Sequence, residues 1–330
     1  MARKRDNGPG GLLIVDKPSG FTSHDIVAKV RGMARTRRVG HAGTLDPLAT
    51  GVLVVGLERA TRLLGHLALT EKEYVATVRL GQATVTDDAE GEVLATEPVA
   101  GVTRKRVEEA IARLTGEIKQ VPSKVSAVKV DGKRSYARVR EGEEVELAAR
   151  TVTVSRFDLH AFHEESTDDG SPVVDLLVSV VCSSGTYVRA LARDLGADLG
   201  VGGHLTALRR TRVGPYGLDA ARGLEELQKG VDEARAEAEE GAPSERSGDR
   251  DQEWEPGRGM PVIPLGDAAA AAFPQWRVNA EHARLLGNGA RIPMPEVGEG
   301  GPVAVFGPGG EFLALVERHD GRSKSLAVFV

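Results

Sequence analysis

Short apolar runs and amphipathic stretches alternate along the chain. Gly11 to Val15 (GLLIV) predicts a buried strand, closed by the breaker run Asp16-Lys17-Pro18-Ser19-Gly20. Thr22 or Ser23 then caps a helix that places Ile26, Val27, Val30 and Met33 on one face. RVGHAGTLDPLATG reads as a glycine-rich loop, Val52 to Leu57 as a second buried strand and Ala60 to Leu69 as a helix. Tyr74 to Leu80 (YVATVRL) alternates as a half-buried strand does. Val102 to Leu114 predicts a helix with Val107, Ile111 and Leu114 inward. Lys124 to Val130, followed by Asp131-Gly132, predicts a strand entering a hairpin-like turn. Val152 to Phe157 and Val173 to Cys182 are further strands. Thr186 to Leu199 is an amphipathic helix with Val188, Leu191, Ala192, Leu195 and Leu199 on one stripe, and Thr186 as its natural cap.

Strands come in clusters between helices, without regular βαβ alternation. The pattern predicts an α+β fold around a mixed, largely antiparallel sheet. Residues 226–260 are rich in Glu, Ala, Gly, Ser and Arg and poor in apolar side chains, which predicts a mobile acidic linker. Apolar runs return at Val303 to Phe306, Phe312 to Val316 and Leu326 to Val330, with a helix near Ala280 to Leu286. Residues 261–330 therefore read as a small β-rich module. The expected organisation is a flexible 1–9, a main domain over 10–225, the linker at 226–260 and the module at 261–330.

Composition changes this picture in two places. The net charge of −5 argues against a nucleic-acid partner until its distribution is considered. Residues 225–256 hold twelve Asp/Glu and four Lys/Arg, so the rest of the chain is net +3, and residues 1–40 alone are net +6. An acidic segment masks a basic front end. Cys182 is the only cysteine, so an internal disulfide and thiolate metal clusters are excluded. The eight histidines are scattered without ligand spacing, and no metal is expected. No apolar stretch approaches the roughly 20 residues of a membrane span, and MARKRDNGPGG lacks the apolar run of a signal peptide. A cytoplasmic protein without a membrane partner is expected.

Asp46 lies in GTLDPLATG. Pro47 fixes its own φ and biases Asp46 away from helix, while Gly43 and Gly51 admit unusual backbone angles. The carboxylate is presented from a stiff turn, either to close that turn through its own backbone or to do chemistry. No Gly-Lys-Ser/Thr closes the segment, which excludes a phosphate loop. Arg189 falls in the first turn of its helix, where the dipole disfavours a cation by roughly 0.3–1 kcal/mol. It is either tolerated there in solvent or placed to meet an anion. Tyr74 offers a ring and a hydroxyl, or simple packing. His41 is a structural hydrogen-bonder or a ring that stacks on a base. Lys17 meets a phosphate or is solvated. Asp87-Asp88, in a glycine-bounded loop, reads as solvated, and Cys182 as buried packing. Arg31, Arg35, Arg37 and Arg38 lead into the Asp46 loop and read as a phosphate-binding face.

Six segments together resemble the bacterial tRNA pseudouridine synthase B (TruB) family, the pseudouridine-55 synthases. They are GLLIVDKPSGFTSHDIV, RVGHAGTLDPLATGVLVVGL, EKEYVATVRLGQATVTDDAEG, VPSKVSAVKVDGKRSYARVREG, CSSGTYVRALARDLG and GGHLTALRRTRVG, in the family's order across about residues 10–215. The resemblance implies a pseudouridine-synthase catalytic domain with an RNA cleft, Asp46 as the catalytic aspartate and Tyr74 as the active-site tyrosine. It further implies that Arg189 pairs with the aspartate, that Tyr187 is a second pocket tyrosine and that Leu208 is an apolar wall of the uracil pocket. His41 corresponds to the residue contacting the disturbed T-loop, and Lys17 to one supporting the nucleophile region. Residues 261–330 would be a divergent PUA-like RNA-binding module. The implied substrate is the T-arm of tRNA, the implied state a monomer, and the implied cofactor none. The acidic linker is longer than the family requires. An RNA-binding or RNA-folding role, alone or in addition, is the second reading. A carboxylate glycosidase is the third and would need a second, acid-acting carboxylate.

Overall fold

The helix predicted after the first strand forms because its start is satisfied from within. Thr22 accepts the Asp25 N–H, and Asp25 accepts the Thr22 N–H, a closed capping box at the head of α1 (Ser23–Ala34). Ile26, Val27, Val30 and Met33 bury one face, and the helix ends at Arg35 in a left-handed conformation. These observations come from a computed structural model that describes residues 10–123, 129–130, 133–134, 148–240, 255–297 and 300–329. The flexible 1–9, the 124–128 part of one expected strand, the Asp131-Gly132 turn and the 241–254 part of the expected linker lie outside the described residues.

In chain order the elements are β1 (Gly11–Lys17), α1, β2 (Val39–Ala42), β3 (Thr50–Leu57), a 3-10 turn (Glu58–Arg62), α2 (Leu64–Leu67), β4 (Lys72–Leu80), β5 (Gln82–Thr84) and β6 (Val93–Thr96). Then follow α3 (Arg104–Arg113), β7 (Gly116–Gln120), β8 (Lys129–Val130), β9 (Lys133–Arg134), β10 (Arg150–Ser166), β11 (Pro172–Cys182), α4 (Val188–Leu199) and β12 (Gly203–Val213). The chain continues with β13 (Tyr216–Gly217), α5 (Leu224–Glu240), β14 (Ile263–Pro264), α6 (Leu265–Ala272), β15 (Gln275–Arg277), α7 (Ala280–Gly287), β16 (Val303–Phe306), β17 (Phe312–His319) and β18 (Arg322–Val328).

The chain divides into two compact units. One takes in the described residues up to Pro47, Gly51–Leu69 and those from Val213 onward; the other takes in Leu48–Thr50 and Thr70–Arg212. In the first, β14, β1, β3 and β2 pair antiparallel. The segment expected to be all loop thus contains a strand, β2, which pairs with β3 over Val39–Ala42. The expected Ala60–Leu69 helix is instead a 3-10 turn and the single turn of α2. β15 to β18 form a four-stranded sheet with one parallel pair, β15–β16, and antiparallel neighbours. In β16, Val303 and Val305 join a core with Trp276, Leu286 and Ile292, whereas Ala304 and Phe306 join a core with Leu12, Ile14, Val52 and Val54. Alternation lets one strand serve two cores, so residues 261–330 share their packing with β1 and β3.

The expected linker is also corrected. Residues 224–240 are the helix α5, on which Leu227 and Val231 are fully buried and packed with Ile26, Val27 and Val30. Two apolar residues four apart are enough to dock a Glu- and Ala-rich helix whose composition reads as solvated.

In the second unit β4, β11, β10 and β7 run antiparallel. β4 alternates buried and half-buried positions throughout, with Lys72, Tyr74 and Ala76 on the inner face. The fold class is α+β, with mixed, largely antiparallel sheets and a distinct C-terminal β-rich sheet. Among the described residues no helix is long and apolar enough to cross a membrane.

Candidate active site

Asp46 is half-buried in a loop whose main chain is tied down on both sides of it. The Ser23 hydroxyl, beside the α1 cap, donates to the Leu45 carbonyl at 3.1 Å and accepts the Leu45 N–H at 2.8 Å. The Gly20 N–H donates to the Pro47 carbonyl at 2.9 Å. The Lys17 ammonium is 0% exposed and donates to the carbonyls of Phe21 (2.7 Å), Pro18 (3.0 Å) and Pro47 (3.2 Å). A buried ammonium with three carbonyl acceptors does not meet a phosphate in solvent. The expectation of Lys17 as an RNA contact is therefore corrected, and the contact to Pro47 fits the supporting place beside Asp46 that the resemblance implies. Gly43 and Gly51 adopt φ of 83° and 97°, left-handed angles that an L side chain rarely takes, so both bends of the loop call for glycine.

The same unit carries the basic residues. Arg31, Arg35, Arg37 and Arg38 are all exposed, and Arg31 donates to the Val39 carbonyl at 3.1 Å. Arg37 and Arg38 line an open cavity of about 400 Å³ together with Arg59 and Arg62. Glu58 also lines it, at a left-handed φ of 49°, with its N–H on the Arg38 carbonyl and its carboxylate taking the Thr36 hydroxyl. Arg62 sits in the expected Ala60–Leu69 helix and Arg59 just before it, and the pairing of β2 with β3 brings both to Arg37 and Arg38. His41, on β2, stands edge-to-face with His24.

The remaining expected pocket residues belong to the second unit. Arg189 is 5% exposed in the first turn of α4. Its guanidinium donates to the Thr86 carbonyl at 2.7 Å and pairs with Asp88 at 3.2 Å, both side chains being buried. Asp88 in turn takes the Glu90 N–H at 3.1 Å and the Thr86 hydroxyl. Asp87, at φ 60°, pairs with Arg193, which also donates to the Val121 carbonyl. Burial pushes the Asp87 carboxyl above its ordinary value, outweighing the Ser123 hydroxyl and the nearby Arg193 and Arg189. The expected solvated Asp87-Asp88 pair is thus a buried acidic step that takes two arginines of α4. The signal was available: Arg189 and Arg193 are four residues apart on one helix face.

The cap of α4 is likewise corrected. Thr186 donates to the Ser183 carbonyl, and the N-cap is Tyr187. Gln120, 1% exposed, takes the Tyr187 N–H at 2.8 Å and donates to its carbonyl at 3.1 Å, fixing the backbone that carries the Tyr187 ring. Tyr74 and Leu208 are 8% and 9% exposed, on β4 and β12. Lys72 shares the inner face of β4 with Tyr74, opposite Cys182 in the register. Burial first, and Arg210 second, lower Lys72 to about 8, and burial raises Cys182 to about 11. Cys182 is buried packing, as expected.

Residues 31–188 match the model of the TruB family pseudouridylate synthase N-terminal domain. Residues 189–245 match the tRNA pseudouridylate synthase B C-terminal domain, and 273–330 the C-terminal domain of tRNA pseudouridine synthase II. Among solved structures, a Cbf5-Nop10-Gar1 complex aligns at 26% identity and TM-score 0.67 over 97% of this chain and 84% of that one. An H/ACA RNP bound to a substrate RNA containing 2'-deoxyuridine aligns at 25% and 0.66, over 97% and 85%. The family models and the fold together define a pseudouridine synthase. The tRNA pseudouridine synthase B of Streptomyces griseus subsp. griseus is 62% identical over 321 residues, 97% of each chain, and that of Thermobifida fusca 54% over 319 residues, 97% of this chain and 98% of that one. The chain belongs to the tRNA pseudouridine synthase B (TruB) family.

Proposed function

We propose that this enzyme converts the uridine at position 55, in the T-loop of tRNA, to pseudouridine, acting as a cytoplasmic monomer on the T-arm. The observation that carries the reading is the half-buried Asp46 in a loop clamped by Lys17 and Ser23, within a chain of this family. The reaction breaks the bond between ribose and uracil nitrogen, turns the base and joins carbon 5 to the ribose. Its atoms are conserved, so no oxidant or group carrier enters the balance. A carboxylate is ionised at neutral pH and acts without an activating base. Asp46 is that group, attacking ribose carbon 1 or uracil carbon 6, or drawing a proton from the ribose on an elimination route.

Tyr74, Tyr187 and Leu208 hold the detached uracil while it turns, and Arg189, oriented by Asp88, supplies the cation that chemistry at a carboxylate calls for. Tyr74, or water beside it, takes the carbon-5 proton. The target base is stacked in a folded loop, and extruding it costs a few kcal/mol. Contacts from the basic face of Arg31, Arg35, Arg37 and Arg38, extended by Arg59 and Arg62, and from His41 offset that cost. Residues 261–330 serve as a PUA-like module on the same RNA.

The test is incubation with unmodified tRNA tritiated at uracil carbon 5. One tritium released per tRNA, mapped to the T-loop uridine, is expected. Asp46→Asn should release none while binding tRNA within about tenfold of wild type, because the loss is chemical. Absence of release by the wild type overturns the proposal, and free uracil would point to a glycosidase instead.

A further inference from the structure

His24 lies outside every group given a role above, yet it is placed with care. It is the second residue of α1, whose first residue, Ser23, is 1% exposed and bonded to both backbone atoms of Leu45. The capping box locks the same turn. His24 thus projects from a helix start tied directly to the Asp46 loop. Its ring meets that of His41 with centroids 5.5 Å apart and planes at 80°. That is the edge-to-face arrangement favoured by the opposed charge of ring edge and ring face. His41 stands on β2, and its backbone is fixed by pairing with Val55 of β3. The backbone pairing fixes where the His41 side chain starts, and the His24 ring packs against the ring at its end. Ordering a side chain before a ligand arrives removes that ordering cost from binding.

We propose that His24 is a positioning residue that holds the His41 ring ready to receive an unstacked nucleobase of the RNA loop, so that the two histidines form one nucleobase-binding element. This rests on the reading of His41 as an RNA contact. Its consequence falls on extrusion of the base and leaves the chemistry at Asp46 unchanged. A substrate whose target uridine is already unstacked depends less on His24.

The experiment compares wild type, His24→Ala, His24→Phe and His41→Ala on two substrates. One is folded, unmodified tRNA; the other is a short single-stranded RNA of the T-loop sequence. Tritium release gives kcat and KM, and 2-aminopurine beside the target uridine reports extrusion by fluorescence. For His24→Ala, kcat/KM on folded tRNA should fall about threefold to tenfold, with a parallel loss of the fluorescence rise. His24→Phe, which keeps a ring at that position, should restore both. On the single-stranded RNA, where no base has to be extruded, His24→Ala should lose less than on folded tRNA, with unchanged thermal midpoints because His24 is exposed. If His24→Ala equals wild type on folded tRNA while His41→Ala is impaired, the positioning role is overturned alone. Equal losses on both substrates with a lowered midpoint overturn it in favour of a purely structural role. If His41→Ala equals wild type on tRNA that wild type modifies, the His41 reading and this inference both fall, and the proposed reaction stands.

Discussion

The Asp46 loop of one unit and Arg189 of the other are held by different physics. The Asp46 loop is gripped through neutral main-chain atoms: the carbonyls of Pro18, Phe21 and Pro47 on Lys17, and both backbone atoms of Leu45 on Ser23. Arg189 is gripped through charge, by a buried carboxylate, Asp88, with one carbonyl beside it. Backbone contacts fix where a loop sits. A buried ion pair fixes position and charge together, and it fails badly when one partner is lost. The difference is that main-chain clamps place a loop, whereas a buried ion pair places a charge.

The sharpest way to break this comparison is to remove the carboxylate end. Asp88→Ala leaves Arg189 buried without that partner and should cost about 3–5 kcal/mol in urea unfolding. Turnover should fall about a hundredfold as the cation loses its orientation. Near-wild-type stability would show that Asp88 does not anchor the arginine. Lys17→Met removes the charged donor from the loop and should cost about 2–3 kcal/mol. Here kcat should drop with KM nearly unchanged, since a displaced nucleophile binds RNA normally. A raised KM with a shallower salt dependence would instead return Lys17 to the RNA surface.

Lys72 offers a pH-dependent test of charge burial beside Tyr74. Its folded value near 8 lies below the ordinary 10.5, so between the two the unfolded chain binds more protons. Wild type should therefore gain stability relative to Lys72→Met as pH rises from about 8 toward 10.5, by about 1–2 kcal/mol. A flat difference across that window would mean the ammonium is not penalised by burial. The smallest effect is expected at the surface. Arg38→Ala should leave stability within about 0.5 kcal/mol and reduce the salt slope of tRNA binding by about one.

Legibility from sequence followed locality. α1 was readable because its capping box and its apolar period lie within twelve residues. β4 was readable because its alternation is unbroken over nine. Gly43 and Gly51 marked the bends of the Asp46 loop, and both take left-handed angles. α5 was misread because composition counts apolar residues without regard to where they face. Leu227 and Val231 suffice once α1 supplies a surface for them. Asp87 and Asp88 were misread as solvated because their partners lie a hundred residues away on α4. Thr186 has the right chemistry for a cap, yet Gln120 supplies the contacts at Tyr187 from another strand.

By itself the sequence determined the family, the stiffness of the loop that presents Asp46 and the basic front end of the chain. Each depends on residues adjacent in the chain or on motifs in a set order. Only the tertiary structure decided that Lys17 is buried with carbonyl acceptors, that Asp88 pairs with Arg189, that Arg59 and Arg62 join Arg37 and Arg38, and that His24 meets His41. The physical reason is that burial and pairing are properties of surfaces brought together by folding. A lysine, an aspartate or a histidine carries the same chemistry in solvent and in a core, and only its neighbours in space determine which of its capacities is used.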